Sequence, residues 1–480
     1  MYTLSSKLKL TAIICMIVGA IGLIYGFIAA PETVEDVKEM MASHGEHGEE
    51  HAEENTTKVN VEQLPGGNNA ELNSEEPSHS HGNVTHENHE ATSASTSDHA
   101  AEGAHGEEAS HDTEHYEHIL HQLQNKPWAA LYVAAFFFFM ISLGALAFYA
   151  VQYAAQAGWS PVLFRVMEAI TAYLLPGGLI VFLLLVLSGL HLNHLFVWMD
   201  PEVVAHDEII QAKTAYLNVP FFLIRAAIYL GGWAFFRYLL VKNSRKMDDA
   251  TDNTIFKKTF KLSAGFLVFF IVTESMMSWD WIMSLDPHWF STLFGWFVFA
   301  SMFVSAITTI AIVTIYLKSR NYLEFVNDSH IHDLAKFMFG ISIFWTYLWF
   351  SQFMLIWYSN IPEEVVYFIQ RMNDYPVLFW GMLITNFLFP VLLLMNSDYK
   401  RVNWFVIMTG IVILCGHYLN VYVMVMPATV GESWFIGIPE ISAVLLIGGL
   451  FTFIIFNSLT KAPLLVKGNP FIKESKHYHY

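Results

Sequence analysis

Glu274 and Asp280 are the only charged residues in residues 262–282, an apolar run long enough to cross a bilayer. A carboxylate inside such a run is expensive and faces a bundle interior, a partner charge or a water path. Counted from Lys261, Glu274 lies ~18 Å along a helix, near the midplane, with Asp280 farther toward the opposite surface. Six residues turn a helix through about 600°, so the two acids do not stack on one face. Two readings of Glu274 stand side by side: a step in proton transfer, or half of an ion pair with Arg225 in the preceding run. Asp280 either joins the same path or caps the outer surface.

His417 sits in another apolar run beside Tyr418, Asn420 and Tyr422, while His191 and His194 end an earlier one. A histidine near neutrality relays protons or hydrogen-bonds a quinone carbonyl. Bis-histidine haem needs two histidines on facing helices at matching depth, and His191 with His417 is the one pair on offer. The plainer reading of His417 is an interior histidine whose hydrogen bonds are met. Trp279 and Trp281 flank Asp280, either as interfacial aromatics or as the walls of a pocket. Glu168, Gln152 and Gln156 lie near the other surface, as a proton entry or as ordinary polar residues at a loop end.

Helices must position these groups. The 480 residues are 54% hydrophobic, with a mean hydropathy of +0.40, the composition of a polytopic membrane protein. Ten apolar runs are long enough to span, near 10–30, 128–150, 172–192, 219–241, 262–283, 289–316, 336–358, 375–396, 402–425 and 437–458. The expected fold is all-α. Connections alternate in charge. One set is basic, with Lys7 and Lys9, Arg165, the lysines and arginines of 242–261, Lys318 and Arg320, Lys400 and Arg401, and the tail 461–480. The other is acidic. By the positive-inside rule both termini are cytoplasmic. Residues 1–30 read as an uncleaved anchor, because the apolar run exceeds that of a signal peptide.

The net charge of −18 belongs to one insert. Residues 31–125 carry 22 acidic residues against two lysines, which leaves the remainder slightly basic. Nucleic-acid binding has no support. The insert also holds 13 of the 22 histidines and few large apolar residues, so it is expected to be disordered and periplasmic. Tracts such as His44-Gly45-Glu46-His47 suit metal buffering, or simply a solvated loop. Cys15 and Cys415 offer no disulfide framework or iron–sulfur ligand set.

A repeat underlies the runs. Pro201-Glu202-Val203-Val204 follows the third, and Pro362-Glu363-Glu364-Val365-Val366 follows the seventh. Pro220 and Pro376 then open the next run. Asp280 precedes Pro287 by seven residues, as Asn420 precedes Pro427. Spans 2–5 and 6–9 are therefore expected as two parallel four-helix bundles with flanking helices.

That architecture, with Ser278-Trp279-Asp280-Trp281-Ile282-Met283-Ser284-Leu285-Asp286-Pro287-His288-Trp289-Phe290-Ser291-Thr292, resembles the NrfD/polysulfide-reductase membrane subunits. In particular it is similar to the smaller of two such subunits in alternative complex III, the bacterial quinol:cytochrome c (or oxidase) oxidoreductase. The likeness covers roughly 128–460, within a membrane domain of 126–460, and leaves the insert outside. It implies a multi-pass subunit of the bacterial inner membrane with no redox centre of its own. Quinol oxidation in this family occurs at the outer face, under an iron–sulfur partner that passes electrons to haem c. The implied partners are iron–sulfur and multihaem cytochrome c subunits, a sister NrfD-like subunit and a terminal oxidase. Glu274, Asp280, His417 and Glu168 are then the expected proton path. His191, His194, Asp280, Trp279 and Trp281 are the candidates for a degenerate menaquinol or ubiquinol pocket. The alternatives are a secondary transporter and a purely structural scaffold. A transporter predicts paired helix breaks at the midplane, whereas Pro287 and Pro427 lie at outer ends.

Overall fold

The computed structural model describes residues 2–40 and 101–479; of 101–115 and 118 it describes the helical backbone alone. The chain divides into two units, residues 31–120 and residues 1–30 with 121–480. All regular structure among the described residues is helical. A long apolar run satisfies its backbone polar groups within itself only as a helix, which is why each run forms one.

The larger unit contains α1 (Ser6–Ile28) and the apolar part of α2 (Ala101–Ala154). One span is split into α3 (Phe164–Ile170) and α4 (Leu174–Gly189). Two short helices follow, α5 (Pro201–His206) and α6 (Glu208–Lys213), then α7 (Val219–Met247), α8 (Thr254–Trp281), α9 (Phe294–Ser319) and α10 (Asp328–Ser359). After α11 (Pro362–Asn373) come α12 (Pro376–Leu383) and α13 (Phe389–Leu394), which share a span. α14 (Asn403–Val430), α15 (Ile438–Leu459) and α16 (Ile472–Lys476) complete the chain. Among the described residues nine spans are long and apolar enough to cross a membrane. The 28-residue α8 completes the expected ten. The protein is an all-α, multi-pass membrane protein.

The two bundles are α2–α4 with α7 and α8, and α9, α10, α12–α13 and α14. Their first helices form the centre. The most apolar stretches of α2 and α9 are each 89% buried, against 56% or less for the other spans. Gly144 permits this approach, since a Cβ there would lie 2.6 Å from the Met302 carbonyl oxygen. In both bundles short helices follow the second span, α5 and α6 in one and α11 in the other. Pro220 and Pro376 then stand in the first turn of α7 and α12, where a missing N–H costs nothing.

Prolines stand beside the irregular turns within the spans. A 3₁₀ turn over Thr171–Tyr173 separates α3 from α4 just ahead of Pro176. The span begins at Pro161 rather than near 172, so Arg165 and Glu168, expected at a loop end, are buried in helix. The α12–α13 span widens to a π-turn over Ile384–Leu388 beside Pro390, with the Phe389 N–H bonded to the Ile384 oxygen. In α14, Pro427 cannot bond the Val423 carbonyl four residues back, and Arg371 Nε donates to it instead at 3.1 Å.

Helix covers 34–40 and 101–125 within the segment expected to be disordered. Ala and Glu favour helix, and the second stretch runs on into the span of α2. Residues 41–100, including the His44-Gly45-Glu46-His47 tract, lie outside the described residues. The tail is ordered: the Ser475 hydroxyl donates to the Trp159 carbonyl at 2.6 Å.

α1 lies along α15 through Gly19, Gly22 and Gly26, and a Cβ on Gly19 would come 2.4 Å from the Leu446 backbone nitrogen. Gly19→Leu should therefore part the two helices at a cost of ~1–3 kcal/mol. Cysteine crosslinking across the seam should fall to background; undiminished crosslinking contradicts this packing.

Candidate functional site

The two acids of α8 have opposite environments. Asp280 faces α7 and is wholly buried. Arg225 holds it with two parallel bonds, Nε to Oδ2 at 2.8 Å and the second terminal nitrogen to Oδ1 at 2.9 Å. The Tyr229 hydroxyl donates to Oδ2 at 3.0 Å. The guanidinium also donates to the Tyr216 carbonyl at 3.0 Å and lies over the rings of Tyr216 and Phe221. A planar fork on a carboxylate is the strongest ion-pair geometry available to side chains. Arg225 was one of two expectations for Glu274; it belongs to Asp280 instead. The physical reason is rotation: Asp280 is on the α7 side of α8, and Glu274 is turned away from it.

Glu274 is 2% exposed. Its carboxyl accepts from the Ser278 hydroxyl at 3.1 Å, one turn along the same helix. That hydroxyl also approaches the Glu274 carbonyl at 3.0 Å, so one proton serves two acceptors. Among the described residues no ion pair reaches Glu274. Glu274 instead borders a cavity of about 250 Å³ between α2, α8 and α9. Ala147, Phe270, Trp296, Phe299 and Phe303 wall it, and Ser275 is its other polar residue. Gly295 lets α9 close on α8 here, since a Cβ would lie 3.0 Å from Ser275 Cα. Ile271 and Trp296, 48% and 43% exposed, bring the cavity to the lipid-facing surface.

His417 is enclosed in the second bundle. Its Nδ1 lies 2.9 Å from Ser301 Oγ, which also accepts from Asn420 Nδ2 at 3.2 Å. The Trp345 ring meets the imidazole edge-on at 5.3 Å. Nε2 and the Asn420 side-chain oxygen are buried with no partner among the described residues. Next to His417, Gly416 admits Asn386, whose amide oxygen and nitrogen are likewise unpartnered. Buried polar atoms are almost always satisfied, so ordered water fits this seam.

Glu168 is saturated. It pairs with Arg165 at 2.7 Å and Arg245 at 3.1 Å, and accepts from Tyr149 at 3.0 Å and from Ser244. Gln152 is buried nearby, and Gln156 follows α2 with a positive φ of 51°. His191 occupies an exposed left-handed turn after α4, whereas His417 is enclosed by side chains; the structure does not present them as a haem-ligand pair. His194 is held by Asn125, which donates to its carbonyl at 3.0 Å, and its ring meets His121 edge-on. Burial first, and then His121, keeps the His194 imidazole below the usual histidine value. Trp281 is a core residue: its ring is buried and its carbonyl accepts from Tyr132 at 2.7 Å. Trp279 is partly buried. Neither reaches His191 or His194 through a hydrogen bond or ring contact among the described residues.

The sequence reading missed Ser301, Asn386 and Arg371. Ser301, Ser305 and Thr309 recur every fourth residue in an apolar helix, a signal that was available. Asn386 likewise stands alone as a strong polar group in its span.

No protein-family model matches the chain, and no curated protein matches it. Residues and geometry therefore carry the functional reading.

Proposed function

We propose that this chain is a non-redox membrane subunit of a respiratory quinol:cytochrome c (or oxidase) complex, in which Glu274 is a step in a proton path. The supporting observation is Glu274 itself: a buried acid that no ion pair reaches among the described residues, beside a cavity of about 250 Å³ into which its side chain can swing. The resemblance of the Ser278–Thr292 stretch to NrfD-like subunits supplies the respiratory setting. Asp280 and Glu168 are fixed by guanidinium groups, which suits them to holding helices together. The path is therefore narrowed to Glu274, with the His417–Ser301–Asn420 seam as a second polar route in the other bundle. In this reading the basic connections face the cytoplasm and the acidic ones the periplasm. The partners are the iron–sulfur, multihaem cytochrome c and sister subunits, and quinone is the substrate of the assembly. Affinity purification of the chain from its native membrane tests the setting. Haem c and iron–sulfur subunits should co-purify in stoichiometric amounts; a homogeneous chain without haem would count decisively against it.

A further inference from the structure

The opposite end of the first bundle from Asp280 carries more positive charge than its acids balance. Arg165 pairs with Glu168 and Asp248, and Arg245 with Glu168, while no ion pair reaches the nearby Arg237 among the described residues. Glu168 already takes two guanidinium groups, and Asp248 takes Arg165 and the Lys467 N–H. Arg237 is left with a neutral partner, the Thr171 hydroxyl at 3.1 Å. Two enclosed guanidinium nitrogens, Arg165 Nε and one terminal nitrogen of Arg245, have no partner among the described residues. Three cations thus meet two anions, with donors to spare.

The position of Arg237 makes the imbalance informative. It lies ten residues before the end of α7, ~15 Å along the helix from Met247, and four residues inside the end of the apolar run 219–241. Its neighbours Phe235 and Tyr238 are 57% and 58% exposed on the lipid-facing side. Arg237 and Arg245 are eight residues apart, on neighbouring faces of one helix. A cation at such depth is costly unless something pairs with it. The anion that reaches it along an apolar surface must be amphiphilic.

We propose that Arg237 and Arg245 form a binding site for the phosphate of an anionic phospholipid, whose chains lie along Phe235 and Tyr238. Basic recesses between transmembrane helices recognise lipid head groups by such charge-assisted bonds. The bound phosphate brings the cluster to neutrality.

The test uses the intact purified assembly in neutral detergent, titrated with phosphatidylglycerol, phosphatidylcholine or inorganic phosphate, with bound lipid read by native mass spectrometry. Phosphatidylglycerol should bind saturably. Arg237→Gln should raise its half-saturating concentration on the order of tenfold, as the loss of one charge-assisted bond implies. Arg237→Lys, which keeps the charge, should fall between the two and carries the test if the glutamine variant does not assemble. Equal binding by Arg237→Gln and the unaltered protein overturns the site. Equal binding of phosphatidylcholine removes the charge argument, and displacement of the lipid by inorganic phosphate reassigns the site to a free anion.

Discussion

Replacing Arg225 with alanine should cost ~3–5 kcal/mol, because it strands the Asp280 carboxylate in the core of the first bundle. Few single changes in this chain should cost more. Asp280 is wholly buried, and two of its three side-chain bonds come from Arg225. The same guanidinium bonds the Tyr216 carbonyl ahead of α7, so the loop there loosens as well. The companion experiment separates charge from packing. Arg225→Met with Asp280→Leu removes both charges at similar volume and should recover most of the loss, since a buried pair contributes little net stability over a well-packed apolar one. Thermal unfolding in detergent reads both. A double variant as unstable as the single one would show that the pair does more than cancel its own desolvation.

A lipophilic carbodiimide should label Glu274 and leave Asp280 and Glu168 unmodified. The reagent partitions into the hydrocarbon phase and adds to a carboxyl group that carries a proton. Glu274 borders a cavity of about 250 Å³ that reaches the lipid-facing surface at Ile271 and Trp296. Asp280 lies under a bidentate guanidinium, and Glu168 under two guanidinium groups and two hydroxyls. Peptide mapping after brief exposure should recover nearly all label on Glu274. Label on Asp280 at a similar level would mean that its pair opens readily. No label on any acid would mean that the cavity is closed to the bilayer.

The fold was legible because bilayer physics leaves so little choice. Apolar length alone places the spans, and the paired Pro-Glu turns reveal the two bundles. One boundary failed at charges. A window of apolar residues starts a span after the last charge, so Arg165 and Glu168, buried as a pair in its first turns, were placed in a loop. The site was half legible. Glu274, Asp280 and Arg225 all stand out as charges in apolar runs, but which acid takes the arginine depends on the rotation of α7 against α8. Sequence spacing does not encode that angle. Arg371 was overlooked because its use is to bond a carbonyl that Pro427, distant in sequence, leaves free. Such a pairing exists only once the helices are assembled.

The most direct test of the proton path is the proton-to-electron ratio of the assembled complex in liposomes, with Glu274→Gln beside the unaltered protein. Glutamine keeps the shape and a hydrogen bond to Ser278 but cannot give up a proton. Electron transfer to cytochrome c should continue while the ratio falls. An unchanged ratio with the substitution in place contradicts the account and leaves Glu274 as a buried acid with no part in proton movement.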